Sequence, residues 1–409
     1  MSVNCRNCNF ELVEVVDFGK MPISNAFLDR SDFSNEYFYN MTATVCKNCY
    51  LFQLLEQPDP KMLFHENYAF FAGTSNSMQK HFSELSDELF NKYQLKIDDL
   101  VVEIGCNDGG VISYLKDKNH FAHLGVDPSK NVYEKSKEKG INMINNFFDI
   151  NTSNEIVKEK SKAKIFISLN TLAHISNINS VFEGIESLLN DDGVFISEDP
   201  YLFDVLEKVS YDQIYDEHVF IFSVTSMNNL CNKYGLNLYD LKYLNTHGGS
   251  MRYYVSKNKS LPKTNNFNYF FNKEKNIHSE GMRCYDNFNL NCIKSKTNLT
   301  NFLNEQSNKK IIASYGATSK STTIFNYCNI NTNQIKYITD TTPTKINKFS
   351  PGIHIPIYDY DYFTNNKPDI CFLGAWNHSN EIFIKEKNNF SLNGKWMTHT
   401  PNAMFINDF

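Results

Sequence analysis

The sequence predicts an α/β protein in three parts: a small metal-stapled module, then a larger and a smaller unit of alternating strands and helices. Three observations carry this. Two tight cysteine pairs, Cys5/Cys8 and Cys46/Cys49, bracket the first stretch. Short apolar runs recur about 20 to 40 residues apart from Leu100 onward, with helical stretches between them. A second rhythm of the same kind starts near Lys310. The 409 residues agree, since ~150 residues per domain gives two to three domains.

The first stretch, to about Tyr68, is rich in aromatics and turn signals such as Phe18-Gly19-Lys20-Met21-Pro22, and reads as a small β-rich module. In each Cys-x-x-Cys pair a two-residue knuckle brings both sulfurs within reach of one metal ion. Four thiolates around Zn²⁺ leave no open coordination position, so Cys5, Cys8, Cys46 and Cys49 predict a structural zinc site that staples a module too small to fold well alone. A chain of this length with 10 cysteines is too sparse for a disulfide scaffold.

Met78, Phe82, Leu85 and Leu89 follow helical spacing and predict an amphipathic helix from Ser77. Strands are expected at Leu100–Ile104, His123–Val126, Ile165–Ser168 and Gly193–Ser197, the rhythm of βαβ units around a parallel sheet. The polar, Asn- and Lys-rich segment between Lys257 and Lys310 reads as a linker whose second half, Phe288 to Leu303, is helical. Strands at Lys310–Tyr315, Gln334–Thr339 and Asp369–Leu373, with helices at Ser319–Tyr327 and Glu381–Lys387, make the last α/β unit. The expected domains are 1–76, 77–257 and 258–409.

Val101 to Gly110 (VVEIGCNDGG) leaves a strand and opens a helix. Its glycines lack the Gly-x-Gly-x-x-Gly spacing that seats a pyrophosphate, which counts against NAD. Asp127, ending the next strand, is placed to accept hydrogen bonds from the two hydroxyls of a ribose, and Glu103 could meet a cationic cofactor. Together these residues suit S-adenosylmethionine, which carries a ribose and positive charge but no phosphate. The expected cofactor residues are Glu103, Gly105, Asn107, Gly109, Asp127 and Asn170.

With these pieces the chain resembles the sugar C-methyltransferases of deoxysugar biosynthesis. The likeness runs over nearly the whole chain. It is carried by the four cysteines, Asn67-Tyr68-Ala69-Phe70-Phe71, Glu103 to Gly109, Asn170-Thr171-Leu172-Ala173-His174-Ile175, Glu198-Asp199-Pro200-Tyr201, Tyr211 to His218, His247-Gly248-Gly249-Ser250-Met251-Arg252, Tyr315 to Lys320 and Ala375-Trp376-Asn377. The resemblance implies a zinc-binding N-terminal module, a central Rossmann-like S-adenosylmethionine-dependent methyltransferase domain and a smaller Rossmann-like C-terminal domain. It also implies an active site lined by Tyr68, His174, Tyr215, Glu217 and His218. One departure is Asp216, where the family usually has histidine.

Methylating carbon requires a C–H made acidic by a neighbouring carbonyl, which a nucleotide-linked 4-keto-deoxysugar supplies, with C-3 the expected carbon. Histidine needs least tuning as the base, and His218 is the expected one. Adjacent Glu217 could share its pocket only from a turn or a helix end, because neighbours in a strand point to opposite faces. Tyr68, Tyr215 and His174 are expected donors to the enolate oxygen or to sugar hydroxyls. Gly249, Ser250 and Arg252 are expected to hold the diphosphate, through consecutive glycine amides and a guanidinium.

The net charge of -6 offers no bulk attraction to nucleic acid or an anionic membrane. A cytoplasmic monomer acting on a nucleotide-linked sugar is expected. The runner-up is an O-methyltransferase acting on a nucleotide sugar. A third reading, a zinc-dependent binding module with a degenerate Rossmann domain, is disfavoured by the acidic balance and the glycine turn.

Overall fold

The computed structural model describes residues 4–64, 76–119, 122–390, 394–400 and 403–406. Strands β1 (Leu12–Pro22), β2 (Phe38–Cys46) and β3 (Phe52–Leu54) form an antiparallel sheet with Cys46 opposite Leu12 and Phe38 opposite Pro22. A short strand from the middle of the chain, Phe220–Ile221, pairs with β3 and completes it. The N-terminal module therefore shares its sheet with the next unit.

The middle unit contains β4 (Val101–Ile104), β5 (His123–Val126), β6 (Met143–Ile144), β7 (Ala163–Leu169) and β8 (Leu189–Pro200). The Phe220–Ile221 strand is β9, and β10 (Asn237–Leu244) and β11 (Ser250–Ser256) follow. They form a seven-stranded sheet in the order β10-β11-β8-β7-β4-β5-β6, parallel from β8 to β6 and antiparallel at β10 and β11. Val101, Val102 and Ile104 on β4 and Ile165, Phe166 and Ile167 on β7 are all buried, as strands covered on both faces require. The helix Asn76–Tyr93 packs its Phe82, Leu85 and Leu89 onto this sheet, each fully buried side chain contributing about 1.5–3 kcal/mol.

The expected linker is not a loop. Two helices, Asn265–His278 and Arg283–Ser307, occupy it. The first packs Phe267, Phe270, Phe271 and Ile277 on the core and adds a polar clamp: the buried Glu274 carboxylate accepts the backbone N–H of Val224 and Thr225, the Thr225 hydroxyl and the Tyr201 hydroxyl. The second buries Tyr285, Phe288, Cys292, Leu299 and Leu303, spaced three to seven residues apart on one face.

The last unit has β12 (Ile312–Tyr315), β13 (Tyr337–Thr339), β14 (Ile357–Tyr358), β15 (Ile370–Leu373), β16 (Lys395–Thr398) and β17 (Met404–Ile406), in the order β14-β13-β12-β15-β16-β17. Only β17 is antiparallel. In both parallel sheets the first strand, β4 or β12, is flanked by later strands on either side, the position where open α/β sheets leave a binding crevice at their carboxyl ends. No described helix is long and apolar enough to cross a membrane.

Candidate active site

The four N-terminal cysteine sulfurs lie within 4.8 Å of one another, with Cys5 Sγ 3.5 Å from Cys49 Sγ and Cys8 Sγ 3.4 Å from Cys46 Sγ. A tetrahedral ion with Zn–S of ~2.3 Å needs sulfurs roughly 3.8 Å apart, so the donor set fits zinc with no position left for substrate. Gln53 donates to Cys5 Sγ at 3.2 Å and accepts the Arg6 amide at 3.0 Å, orienting one ligand from outside the sulfur shell.

One cavity of about 1240 Å³ is lined by all three parts of the chain. That exceeds the ~300–1,000 Å³ of a pocket for a single small ligand and leaves room for two. Its middle-unit wall is the loop after β4. Gly105, at φ +59°, sits against Thr171, whose Oγ1 would lie 2.1 Å from a Cβ at this position, so only glycine lets the loop pass. Asp127 accepts the amides of Asn107 at 3.1 Å and Ser129 at 2.9 Å, one on each oxygen, and the Ser129 hydroxyl as well, which still leaves the carboxylate acceptor capacity for a ribose hydroxyl. Glu103, Gly105, Asn107, Asp127 and Asn170 all line the cavity.

Glu103, in the cavity lining, also accepts the amides of Val111 and Ile112 at the start of the following helix, one on each oxygen, and burial pushes its carboxyl up to about 8. Gly109 does not line the cavity; a Cβ there would meet Ile141, and Gly110 takes the lining position.

The segment Tyr211–His218 builds the reacting end. A turn closed by the His218 N–H to the Tyr215 carbonyl at 2.8 Å brings Tyr215, Glu217 and His218 to the cavity together, as two adjacent side chains in one pocket require. His218 Nδ1 donates to the Gln213 carbonyl at 2.8 Å, which leaves the lone pair of the neutral ring on Nε2, where the Tyr215 hydroxyl donates at 2.8 Å. Burial first, then the charges of His174 and Lys320, push His218 well below the ordinary histidine range. Burial, Glu217, Asp216 and Asp212 push the Tyr215 phenol well up, so it stays a donor. His174 stacks on His218 with ring centres 5.2 Å apart, and burial lowers it to about 4. Its Nε2 is buried with no partner among the described residues, leaving a polar atom for a ligand. Tyr68 lies outside the described residues.

Asp216 turns away from the cavity. Its carboxylate accepts the Ser24 amide at 3.0 Å and the Ser24 hydroxyl at 2.5 Å, so the acidic residue at this position adds a buried clamp on the N-terminal module and leaves the pocket wall to its neighbours.

The structure does not bring Gly249, Ser250 and Arg252 to the cavity. Arg252 lies on β11, 2% exposed, with its guanidinium paired to Glu198 and to Glu88 at 2.9 Å. Every charge of that fork is satisfied inside the protein, and it fastens the helix Asn76–Tyr93 to the sheet. Gly249 faces the Asp204 carboxylate, 1.7 Å from where a Cβ would stand, and Ser250 donates to the Thr246 carbonyl. An anion would meet a carboxylate there.

Sequence reasoning missed the cations that do line the cavity: Lys61 of the N-terminal module and Lys320, Lys345 and Lys385 of the C-terminal unit. Burial lowers Lys320, opposed by the fields of Asp212 and Glu217. Lys345 donates to the Ala317 carbonyl at 2.8 Å, and Lys385 sits 3.9 Å over the Tyr360 ring. His247, singled out only as part of a turn, also lines the cavity; burial lowers it to about 3 and its Nε2 has no partner among the described residues. The loop after β12 repeats the arrangement of the cofactor loop: Asp340 accepts the amides of Ala317 and Thr342, each at 2.8 Å, and the Gly316 amide bonds the Thr339 carbonyl at 2.8 Å as Gly105 bonds Val126.

Known proteins resemble the chain along this same division. It is 28% identical over 409 residues to the C-methyltransferase NovU of Streptomyces niveus, covering 98% of this chain and 96% of that protein. Among solved structures it is similar to an S-adenosylmethionine-dependent methyltransferase from Clostridium acetobutylicum ATCC 824 (16% identity, 43% of this chain and 91% of that one, TM-score 0.34). It is also similar to the magnesium protoporphyrin IX methyltransferase of Synechocystis PCC 6803 with bound SAH (14% identity, 43% and 82%, TM-score 0.34). Family models match in order: a "Putative zinc binding domain" over residues 5–64, a methyltransferase domain over 75–241 and a C-methyltransferase C-terminal domain over 245–401. The cysteine cluster, the cofactor loop and these ordered matches lead to one conclusion: the chain is an S-adenosylmethionine-dependent C-methyltransferase in which a zinc-binding module precedes the methyltransferase domain and a C-methyltransferase C-terminal domain follows it.

Proposed function

We propose that this C-methyltransferase acts on a nucleotide-linked 4-keto-deoxysugar, removing the proton alpha to the carbonyl and methylating that carbon, C-3. The observation that carries the reading is the Tyr215–His218 turn, which sets a neutral, buried histidine base and its tyrosine partner between the cofactor loop and a wall of lysines. S-adenosylmethionine, when bound against Gly105, Asn107 and Asp127, supplies an electrophilic methyl group.

The Gln213 carbonyl holds His218 in the tautomer whose Nε2 accepts a proton, and Tyr215 relays it: a proton taken at the phenol oxygen drives the hydroxyl proton onto Nε2. The charge left on the sugar moves to the keto oxygen, where the Lys320 ammonium and the buried Nε2 atoms of His174 and His247, which have no partner among the described residues, are the groups at hand. Glu217 accepts from a sugar hydroxyl or amine. Lys345, Lys385 and the loop after β12 support a nucleotide diphosphate in the C-terminal half of the cavity, replacing the role first expected of Arg252.

The test is methyl transfer from labelled S-adenosylmethionine to a panel of nucleotide-4-keto-sugars in D₂O. Label on carbon, with deuterium exchange at the same position when cofactor is withheld, is expected. Label on oxygen with no exchange would give the site to an O-methyltransferase.

A further inference from the structure

The N-terminal module does more than carry the cysteines. Between β1 and the short helix Arg30–Asn35, the segment Ile23–Phe27 leaves the zinc-side sheet and enters the seam between the middle and C-terminal units. Ser24 clamps both oxygens of Asp216 from behind the catalytic turn. Its carbonyl accepts the Thr322 hydroxyl of the C-terminal unit at 3.0 Å, and Thr323 of the same helix donates to the Ile214 carbonyl at 3.3 Å. Lys345 lies 4.9 Å over the Phe27 ring. The next residue, Asn25, reaches the cavity wall itself, and its Nδ2 donates to Glu217 Oε1 at 2.6 Å.

Two features make this contact more than a seam. It is made to a carboxylate that lines the reacting cavity, not to one that faces inward like Asp216. It is also a charge-assisted bond from a neutral donor, which holds the carboxylate in one orientation and favours its ionised form without adding a competing charge. The backbone fixes only where Glu217 starts, because the turn ends one residue later; something outside the turn must fix where its carboxylate points. Among the described residues, the other groups around Glu217 include Lys320 and Lys345 from the C-terminal unit and Tyr215 and Asp216 of its own turn, with His218 beside it.

We infer that Asn25, a residue of the zinc-binding module, is a positioning residue of the active site, aiming the Glu217 carboxylate at the sugar. The inference rests on Glu217 being part of the reacting site. It gives the N-terminal module a direct share in substrate handling, passed along the hairpin whose far end carries Cys46 opposite Leu12.

The experiment uses the full-length zinc-loaded protein with Asn25→Ala and Asn25→Asp, and Glu217→Gln to assign the Glu217 carboxyl by infrared difference titration. In Asn25→Ala the Glu217 titration is expected to move to higher pH. In Asn25→Asp, where two carboxylates share the site, it should move further, by about one pH unit or more. With a 4-keto-sugar nucleotide that the wild type methylates, kcat/KM for the sugar should fall about 10- to 100-fold, the loss of one charge-assisted bond, while KM for S-adenosylmethionine stays within twofold. A Glu217 titration unmoved in both variants, with only a lowered melting temperature, overturns the inference and leaves Asn25 a packing residue. If the wild type methylates no keto-sugar on the panel, the substrate assignment fails, and the infrared titration still decides whether Asn25 governs Glu217.

Discussion

The Tyr215 hydroxyl lies 2.8 Å from Nε2 of His218, while Nδ1 of the same ring is held by the Gln213 carbonyl. The two ring nitrogens are thereby given different jobs: one anchors, the other receives. His218→Ala is expected to lower methyl transfer by about 10²–10⁴-fold, the usual worth of a positioned base. Tyr215→Phe should lower it less, since the ring keeps its anchor. Calorimetric titration with S-adenosylhomocysteine should give the same affinity for both variants as for the wild type; a large loss of cofactor binding would move these residues out of the chemistry and into the cofactor site.

The histidines around the cavity are neutral at physiological pH. Burial puts His174 at about 4 and His247 at about 3, and drives His218 lower than its ordinary range. For a histidine a depressed pKa means that the lone pair persists as pH falls, so kcat/KM should show no inflection near the ~6.5 of a free imidazole. A pH–rate profile that loses activity with an apparent pKa of 6.5 would contradict the buried, neutral base.

Arg252 is expected to matter for folding and not for the nucleotide. Removing one partner of its buried cluster with Glu198 and Glu88 leaves uncompensated charge, a loss of about 3–5 kcal/mol. Urea unfolding of Arg252→Ala should show that loss, or the variant should fail to fold. A folded, stable variant with raised KM for the sugar nucleotide alone would return Arg252 to the diphosphate.

Lys320→Met keeps the stem of the side chain and removes a buried cation from the cavity. Lowered kcat for the sugar with unchanged S-adenosylhomocysteine binding is the expected pattern, by about 10²-fold if the ammonium faces the developing oxyanion. Unaltered kinetics would remove it from the site.

Metal analysis should find one zinc per chain. A strong chelator should lower the melting temperature markedly, because the four thiolates tie the chain before β1 to the end of β2 at one end of the first sheet, and the metal's binding energy is folding energy there. Chelation that leaves the melting curve unchanged would show the cysteine cluster to be dispensable for the fold.

By itself the sequence determined the local features: the cysteine knuckles, the helix at Met78–Leu89, the strands around His123–Val126 and the glycine turn with Asp127. These are read from spacing within one or two elements, where periodicity and turn chemistry decide the outcome. The Tyr215–His218 segment is visible only through the family resemblance, because nothing in its spacing marks one tyrosine among 23. Tertiary structure decided everything that depends on which side chains meet across the chain. Arg252 read as an anion site from its glycine neighbours, but Glu198 and Glu88, far away in sequence, take its charge first. Glu103 also receives a helix N-terminus, a contact that only the fold reveals. The segment 265–278 reads as a linker because its Asn and Lys content masks a short apolar face, Phe267, Phe270, Phe271 and Ile277, that packs on the core beside the buried Glu274. Asn25 is silent because nothing in its neighbourhood distinguishes it, and Lys320, although it closes the Tyr315–Lys320 segment that carries the family likeness, reaches the site only because three units pack around one cavity. Burial is a property of the folded whole, and it is burial that turns an ordinary histidine, carboxylate or lysine into a group with a task.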